Sequence, residues 1–194
     1  MKDYTFVEID MRNDFSDDPR AVLPVPGMLG TVGKMAALEQ HAKKVVIAAD
    51  THAEDDPISQ KEFEEFGPHC VPGTWGWDRV LGLPPELDTV FEVQKNTYDT
   101  WEGMGEDDSK LLMFLGEEDP IVVGGVVTGI CVRAFIEGAI KRGLTKRVIL
   151  ITDCVANLDI KGMPTSRVLF REWSHQGIVI SSYESFVKQY IMKD

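Results

Sequence analysis

The segment Ile121-Val122-Val123-Gly124-Gly125-Val126-Val127-Thr128-Gly129-Ile130-Cys131-Val132-Arg133-Ala134-Phe135 decides the fold. Ile121 to Val126 is a short apolar run rich in β-branched residues, the pattern of a strand buried on both faces. Gly124-Gly125 lets the chain turn where a side chain would clash. Thr128 is a suitable N-cap, and from Cys131 to Ala139 the apolar residues recur at helical spacing. Cys131 therefore falls in the first turn of a helix, at the carboxyl end of a strand. Unpaired N–H groups and the helix dipole there favour thiolate over thiol. In an open parallel sheet this crevice is where active sites form. Taken alone, the segment fits a small buried core cysteine equally well.

Working outward, the same alternation repeats. Tyr4 to Ile9, Val45 to Ala49, Thr89 to Val93, Arg147 to Asp153 and Gly177 to Ile180 read as further strands. Val32 to Ala42, Leu111 to Leu115 and Met163 to Trp173 read as helices, and Ser182 to Phe186 opens a terminal one. Alternating strands and helices predict an α/β fold: a doubly wound, six-stranded, mostly parallel sheet with helices on both faces. Residues 53–88 lack periodicity and are rich in Asp, Glu, Pro and Gly. A loop this long in a compact fold points to function.

The 194 residues suffice for one domain, 1–194, with a full core. A net charge of −12 argues against nucleic acid or an anionic membrane as a partner. The uncharged run Ile121 to Val132 is too short to cross a bilayer, and no basic-then-apolar leader precedes the first strand. Three widely spaced cysteines give no disulfide framework, so a reducing cytoplasm is the expected setting. No glycine-rich turn follows the first strand, which argues against a dinucleotide cofactor.

Several residues at strand ends carry chemistry. Asp10 follows the first strand, where it reaches the sheet edge or caps a turn. Lys95 follows the third, as a site residue or a solvated lysine. Asp50-Thr51-His52 closes the second, as two metal ligands or an ordinary surface turn. His69, stiffened by Pro68, is a third candidate ligand. One carboxylate and two imidazoles suit Zn, Fe or Mn with an open coordination position. The adjacent Cys70 reads as structural.

Asp10, Lys95 and Cys131 at three strand ends, in that order, resemble the cysteine hydrolases of the isochorismatase-like superfamily. The resemblance covers nearly the whole chain. It is carried by Ile9-Asp10-Met11-Arg12-Asn13-Asp14-Phe15, by Lys95-Asn96-Thr97-Tyr98-Asp99, and by Gly124 to Val132. Asp50-x-His52 followed by Pro68-His69-Cys70-Val71-x-Gly73-Thr74 is similar to the nicotinamidase branch, whose members hold a divalent metal with one Asp and two His. In some of them a glutamate seven residues before the second histidine joins the metal, which would be Glu62, with Glu64 and Glu65 as close competitors. The sequence departs from the pattern at Arg12, on a turn expected near the surface, and at Gly67-Pro68-His69, Trp77 and Glu102-Gly103.

The resemblance implies amide hydrolysis through a Cys131 thioester. Asp10 would be the general base and Lys95 would hold it ionised. The N–H groups of Val127 and Cys131 would form the oxyanion hole, with a cis peptide at Val126–Val127. The metal would dock the pyridine nitrogen of nicotinamide, a small-molecule substrate, while Phe15, Phe66 and Trp101 flank the ring, although each of these aromatics also fits an ordinary core. Two other functions share the features: a metal-free hydrolase of this fold acting on an N-carbamoyl amide or a vinyl ether, and a non-catalytic thiol or small-ligand-binding protein. Subunit number and acceptance of pyrazinamide are left open.

Overall fold

The computed structural model describes residues 3–82, 89–105 and 107–192, so the end of the expected 53–88 loop, residues 83–88, lies outside it. Six parallel strands form one sheet: β1 (Thr5–Ile9), β2 (Lys44–Asp50), β3 (Val90–Lys95), β4 (Ile121–Gly125), β5 (Val148–Val155) and β6 (Val179–Ser181). Their order is β3-β2-β1-β4-β5-β6, so the winding reverses direction at β1. The helices are α1 (Val32–His41), α2 (Pro57–Phe66), α3 (Ser109–Leu115), α4 (Cys131–Lys141), α5 (Ser166–Gln176) and the short α6 (Tyr183–Phe186).

The period-2 alternation of the strands divides the core in two. Tyr4, Phe6, Val45 and Ile47 face Met35 and Leu38 of α1 and Phe186 of α6. Val7, Ile9, Val46 and Ala48 face Leu111 of α3, Phe135 and Ile136 of α4, and Leu169 and Trp173 of α5. Each such fully buried side chain contributes about 1.5–3 kcal/mol through removal from water. The doubly wound sheet expected from sequence is the one observed. No described helix is long and apolar enough to cross a membrane.

Local expectations differ at three places. Residues 57–66 form α2, not loop. Asp56 caps it by accepting the Ser59 N–H, Pro57 opens it, and Gly67 ends it with φ 77. Thr128 does not cap α4. Its hydroxyl donates to the Ala156 carbonyl at 2.9 Å, because the turn after β4 folds back on the end of β5, and Ile130 takes the cap position. Cys154 lies inside β5, which continues to Val155.

Candidate functional site

Four adjacent strands supply the site. Lys95 ends β3, Asp50 ends β2, Asp10 follows β1 and Cys131 follows β4. The register sets Asp50 opposite Lys95 and Ile9 opposite Gly125, so all four side chains reach the same carboxyl edge. Gly125 is required there: its φ is 127, and a Cβ would stand 2.1 Å from the Ile9 carbonyl oxygen. Asp10 itself adopts φ 52, a left-handed conformation that aspartate tolerates.

The Lys95 Nζ lies 2.8 Å from Asp10 Oδ2, 3.3 Å from Asp50 Oδ1 and 3.9 Å from Cys131 Sγ, and it donates to the Thr97 carbonyl at 3.1 Å. Asp10 Oδ1 accepts the Asp50 N–H at 2.8 Å, which fixes the carboxylate plane. Asp10 Oδ2 pairs with the ammonium by charge but has no aligned hydrogen-bond donor. Asp10, Lys95 and Cys131 are all buried.

Burial dominates the ionisation of the trio. It pushes the Cys131 thiol well above its ordinary range; Lys95 pulls the other way, and Asp10 and Asp50 add to the rise. The thiolate expected from the helix terminus is therefore not the resting form, because desolvation outweighs the dipole. A protonated sulfur needs a base. Burial raises the Asp10 carboxyl against the pull of Lys95, which makes Asp10 more basic than an exposed aspartate. For Lys95 burial acts downward, but Asp10, Cys131 and Asp50 outweigh it and keep the ammonium charged.

Beside the trio, one ligand atom each from Asp50, His52 and His69 lie within 4.8 Å of one another, all buried. His52 Nε2 is 3.0 Å and His69 Nε2 3.7 Å from Asp50 Oδ2. The opposite ring nitrogens are engaged elsewhere. His52 Nδ1 is 3.2 Å from Ser59 Oγ, which donates to Asp56, and His69 Nδ1 is 2.9 Å from the Gly67 carbonyl. Both Nε2 atoms thus converge on one carboxylate with their tautomers fixed from behind, the arrangement that suits a divalent ion. Burial would raise the Asp50 carboxyl, but Lys95 and the two imidazoles hold it at about 2. Glu62 Oε2 stands 3.5 Å from His52 Nε2. Glu64 is exposed, as is Glu65, which lines an outer groove instead.

A cavity of about 120 Å³ is lined by Asp10 and Cys131 of the trio and by Asp50, His69 and Glu62. Phe15, Phe66 and Val127 line it, and the Val126–Val127 peptide is cis. Trp101 does not line it. Its ring stacks on Phe135 at 5.3 Å, its Nε1–H donates to the Phe135 carbonyl, and it packs over Gly138 of α4, so it is core. Arg12 is also buried, not near-surface: its guanidinium lies 4.8 Å over Trp77 and pairs with Glu92. Two site residues escaped the sequence reading. Tyr98 lines the cavity, and burial together with Glu62 pushes its hydroxyl up to about 12. Its signal was its place three residues after Lys95. Ser59 orients His52, and only recognition of the Asp56-Pro57 helix start would have exposed it.

Residues 4–181 match the family described as Isochorismatase domain. This chain belongs to that family. The isochorismatase-family chain is 30% identical over 166 residues to a nicotinamidase/pyrazinamidase of Mycobacterium tuberculosis, covering 73% of this chain and 81% of the relative. Its structure is similar to the pyrazinamidase of Pyrococcus horikoshii in complex with zinc, with a TM-score of 0.74 and 26% identity over 93% of this chain and 99% of the other. N-carbamoylsarcosine amidase of Thermoplasma acidophilum shares the fold at a TM-score of 0.70 and 24% identity, covering 95% and 98% of the two chains.

Proposed function

We propose that this protein is a nicotinamidase that hydrolyses nicotinamide to nicotinate and ammonia through a cysteine thioester. The observation that carries this reading is one cavity lined by Asp10 and Cys131, which adjoin the buried Lys95, and by Asp50 and His69 of an Asp/His/His cluster. The likeness to a nicotinamidase/pyrazinamidase and to a zinc-bound pyrazinamidase supports it.

The Asp10 carboxylate takes the Cys131 proton, and the thiolate attacks the carboxamide carbon. Such positioned proton transfer contributes ~10²–10⁴-fold. The N–H groups of Val127 and Cys131 receive the developing oxyanion. Asp10 then returns the proton to the departing ammonia, leaving an acyl thioester. Water attacks the thioester with Asp10 as base, releasing the acid and the thiol. Lys95 favours the ionised Asp10 from which each cycle starts and to which it returns. Asp50, His52 and His69 would hold a divalent ion, which supplies a Lewis-acid contact for the ring nitrogen. Phe15 and Phe66 flank the ring.

Substrate charge separates this reading from its nearest rival. Among the described residues, the cavity lining contains no Lys or Arg, while Asp10, Asp50 and Glu62 contribute negative charge. A neutral carboxamide suits that lining better than an N-carbamoyl amino acid, whose carboxylate would find no cation on the wall. The test is ammonia release from nicotinamide, pyrazinamide and an N-carbamoyl amino acid, before and after metal removal. Nicotinamide turnover that collapses on chelation and returns with zinc or manganese is expected. Preference for the carbamoyl compound, or full turnover without metal, would overturn the assignment.

A further inference from the structure

Asp14 sits in the short turn Asn13–Phe15 after β1, buried, with no ion-pair partner among the described residues. Its Oδ2 accepts the Cys70 N–H at 2.8 Å, and its Oδ1 faces the Val22 N–H at 3.4 Å. Cys70 has φ 47, a left-handed conformation that a residue with a Cβ keeps only when its surroundings enforce it. The Cys70 carbonyl in turn accepts the His52 N–H at 3.1 Å. One residue therefore joins both histidines of the cluster: His69 precedes it in the chain and His52 hangs on its carbonyl. The segment beyond closes over the grip, since a Cβ on Gly76 would stand 1.9 Å from Asp14 Oδ2.

We propose that Asp14 is a positioning residue for the metal cluster: by gripping Cys70 it sets the spacing of His69 and His52, and so the affinity for a divalent ion. This rests on the metal reading above. Asp14 touches neither the cluster's ligand atoms nor the reacting sulfur. An unpaired carboxylate remains buried here because its acceptor oxygens hold two backbone donors, one of them beside a ligand.

The experiment is zinc titration against a competing chelator on the metal-free full chain, with the thermal midpoint of each metal-free protein recorded in parallel. Asp14→Ala is expected to weaken zinc by about 10–100-fold, the size of effect seen when groups that orient metal ligands are removed. Asp14→Asn keeps an acceptor oxygen for the Cys70 N–H and is expected to bind zinc nearly as the natural protein does. Gly76→Ala pushes the carboxylate aside without deleting it and is expected to weaken zinc too; it serves where Asp14→Ala does not fold. Zinc affinity unchanged in folded Asp14→Ala or Gly76→Ala, with only the thermal midpoint lowered, would reduce Asp14 to a structural residue. Equal weakening by Asp14→Asn and Asp14→Ala would also overturn the grip. A natural protein that binds no zinc would instead remove the metal reading and this inference with it.

Discussion

Two buried ion clusters lie around β1, and each gathers two carboxylates around one cation. At the carboxyl edge Asp10 and Asp50 share Lys95. On the α1 side of the sheet Glu8 and Glu39 share Arg79. The charge count is the same, but the chemistry left over is not. The Arg79 guanidinium spreads its fork over both oxygens of Glu8, over Glu39 and over the Gly82 carbonyl, so its charge is held by fixed partners. Lys95 is a point charge with a sulfur 3.9 Å away, and its two carboxylate residues Asp10 and Asp50 line a cavity together with that cysteine. The first cluster has a cysteine sulfur and a cavity beside it, whereas the second fastens the 75–82 segment to the sheet.

Perturbing the two clusters in parallel tests that distinction. The largest effect is expected from Cys131→Ala, which should reduce ammonia release from nicotinamide to background while the thermal midpoint barely moves, because the Asp10–Lys95 pair survives. Retained turnover would show that the open cluster is not a nucleophile's partner. Arg79→Met strands Glu8 and Glu39 and should cost about 3–5 kcal/mol in urea unfolding, with kcat of the folded protein unchanged. Lys95→Met strands Asp10 and Asp50 and should cost stability on a similar scale, but it should also lower kcat of the folded protein by roughly 10²–10⁴-fold, because Asp10 loses the charge that keeps it a working base. Equal activity loss in the two variants would erase the contrast.

The smallest effect comes from a half-exposed pair used as a reference, Lys34 with Asp153 at 2.8 Å. Partial burial raises the Asp153 carboxyl, but Lys34 and the Tyr183 N–H overcome it, so its folded pKa lies below the ordinary value. A depressed carboxyl stabilises the fold above its unfolded pKa of about 3.9 and loses that contribution as pH falls through the lower folded value. Asp153→Asn should therefore cost less than about 1 kcal/mol near neutrality, since the pair is screened by water, and nothing in strong acid. Urea melts at the two pH values would show it; a penalty that persists in acid would point to lost packing instead of charge.

Strand-borne features were legible in the sequence because a strand end is marked twice, by the apolar run that precedes it and by the polar residue that stops it. Asp10, Asp50 and Lys95 were found that way, and Cys131 at the start of the helix after β4. Features that depend on what a side chain meets in space were not. Trp101 and Phe66 are both aromatics near motifs, yet only the fold decides that one stacks on Phe135 and the other faces the cavity. Helix α2 was missed because its apolar face is weak, with Ser59 its sole buried residue, although Asp56, Pro57 and Gly67 mark both its ends. The ionisation of Cys131 depends on more than its place at a helix end, because burial by distant chain raises the thiol against the dipole. The Glu8–Arg79–Glu39 cluster carried no pattern at all, since its members are far apart in sequence and each reads as an ordinary surface charge.

The seat of Trp101 over Gly138 has a consequence for the Cys131 sulfur. Cys131 and Gly138 are about two helical turns apart, so they lie on nearly the same side of α4. The indole fills the recess that the missing side chain leaves, and its Nε1–H is tied to the Phe135 carbonyl. The helix is thereby keyed like a shaft: it cannot roll about its axis without unseating the ring. The azimuth of the cysteine is set by a notch in the interior, and a single methyl group placed in that notch would turn the sulfur away from Asp10.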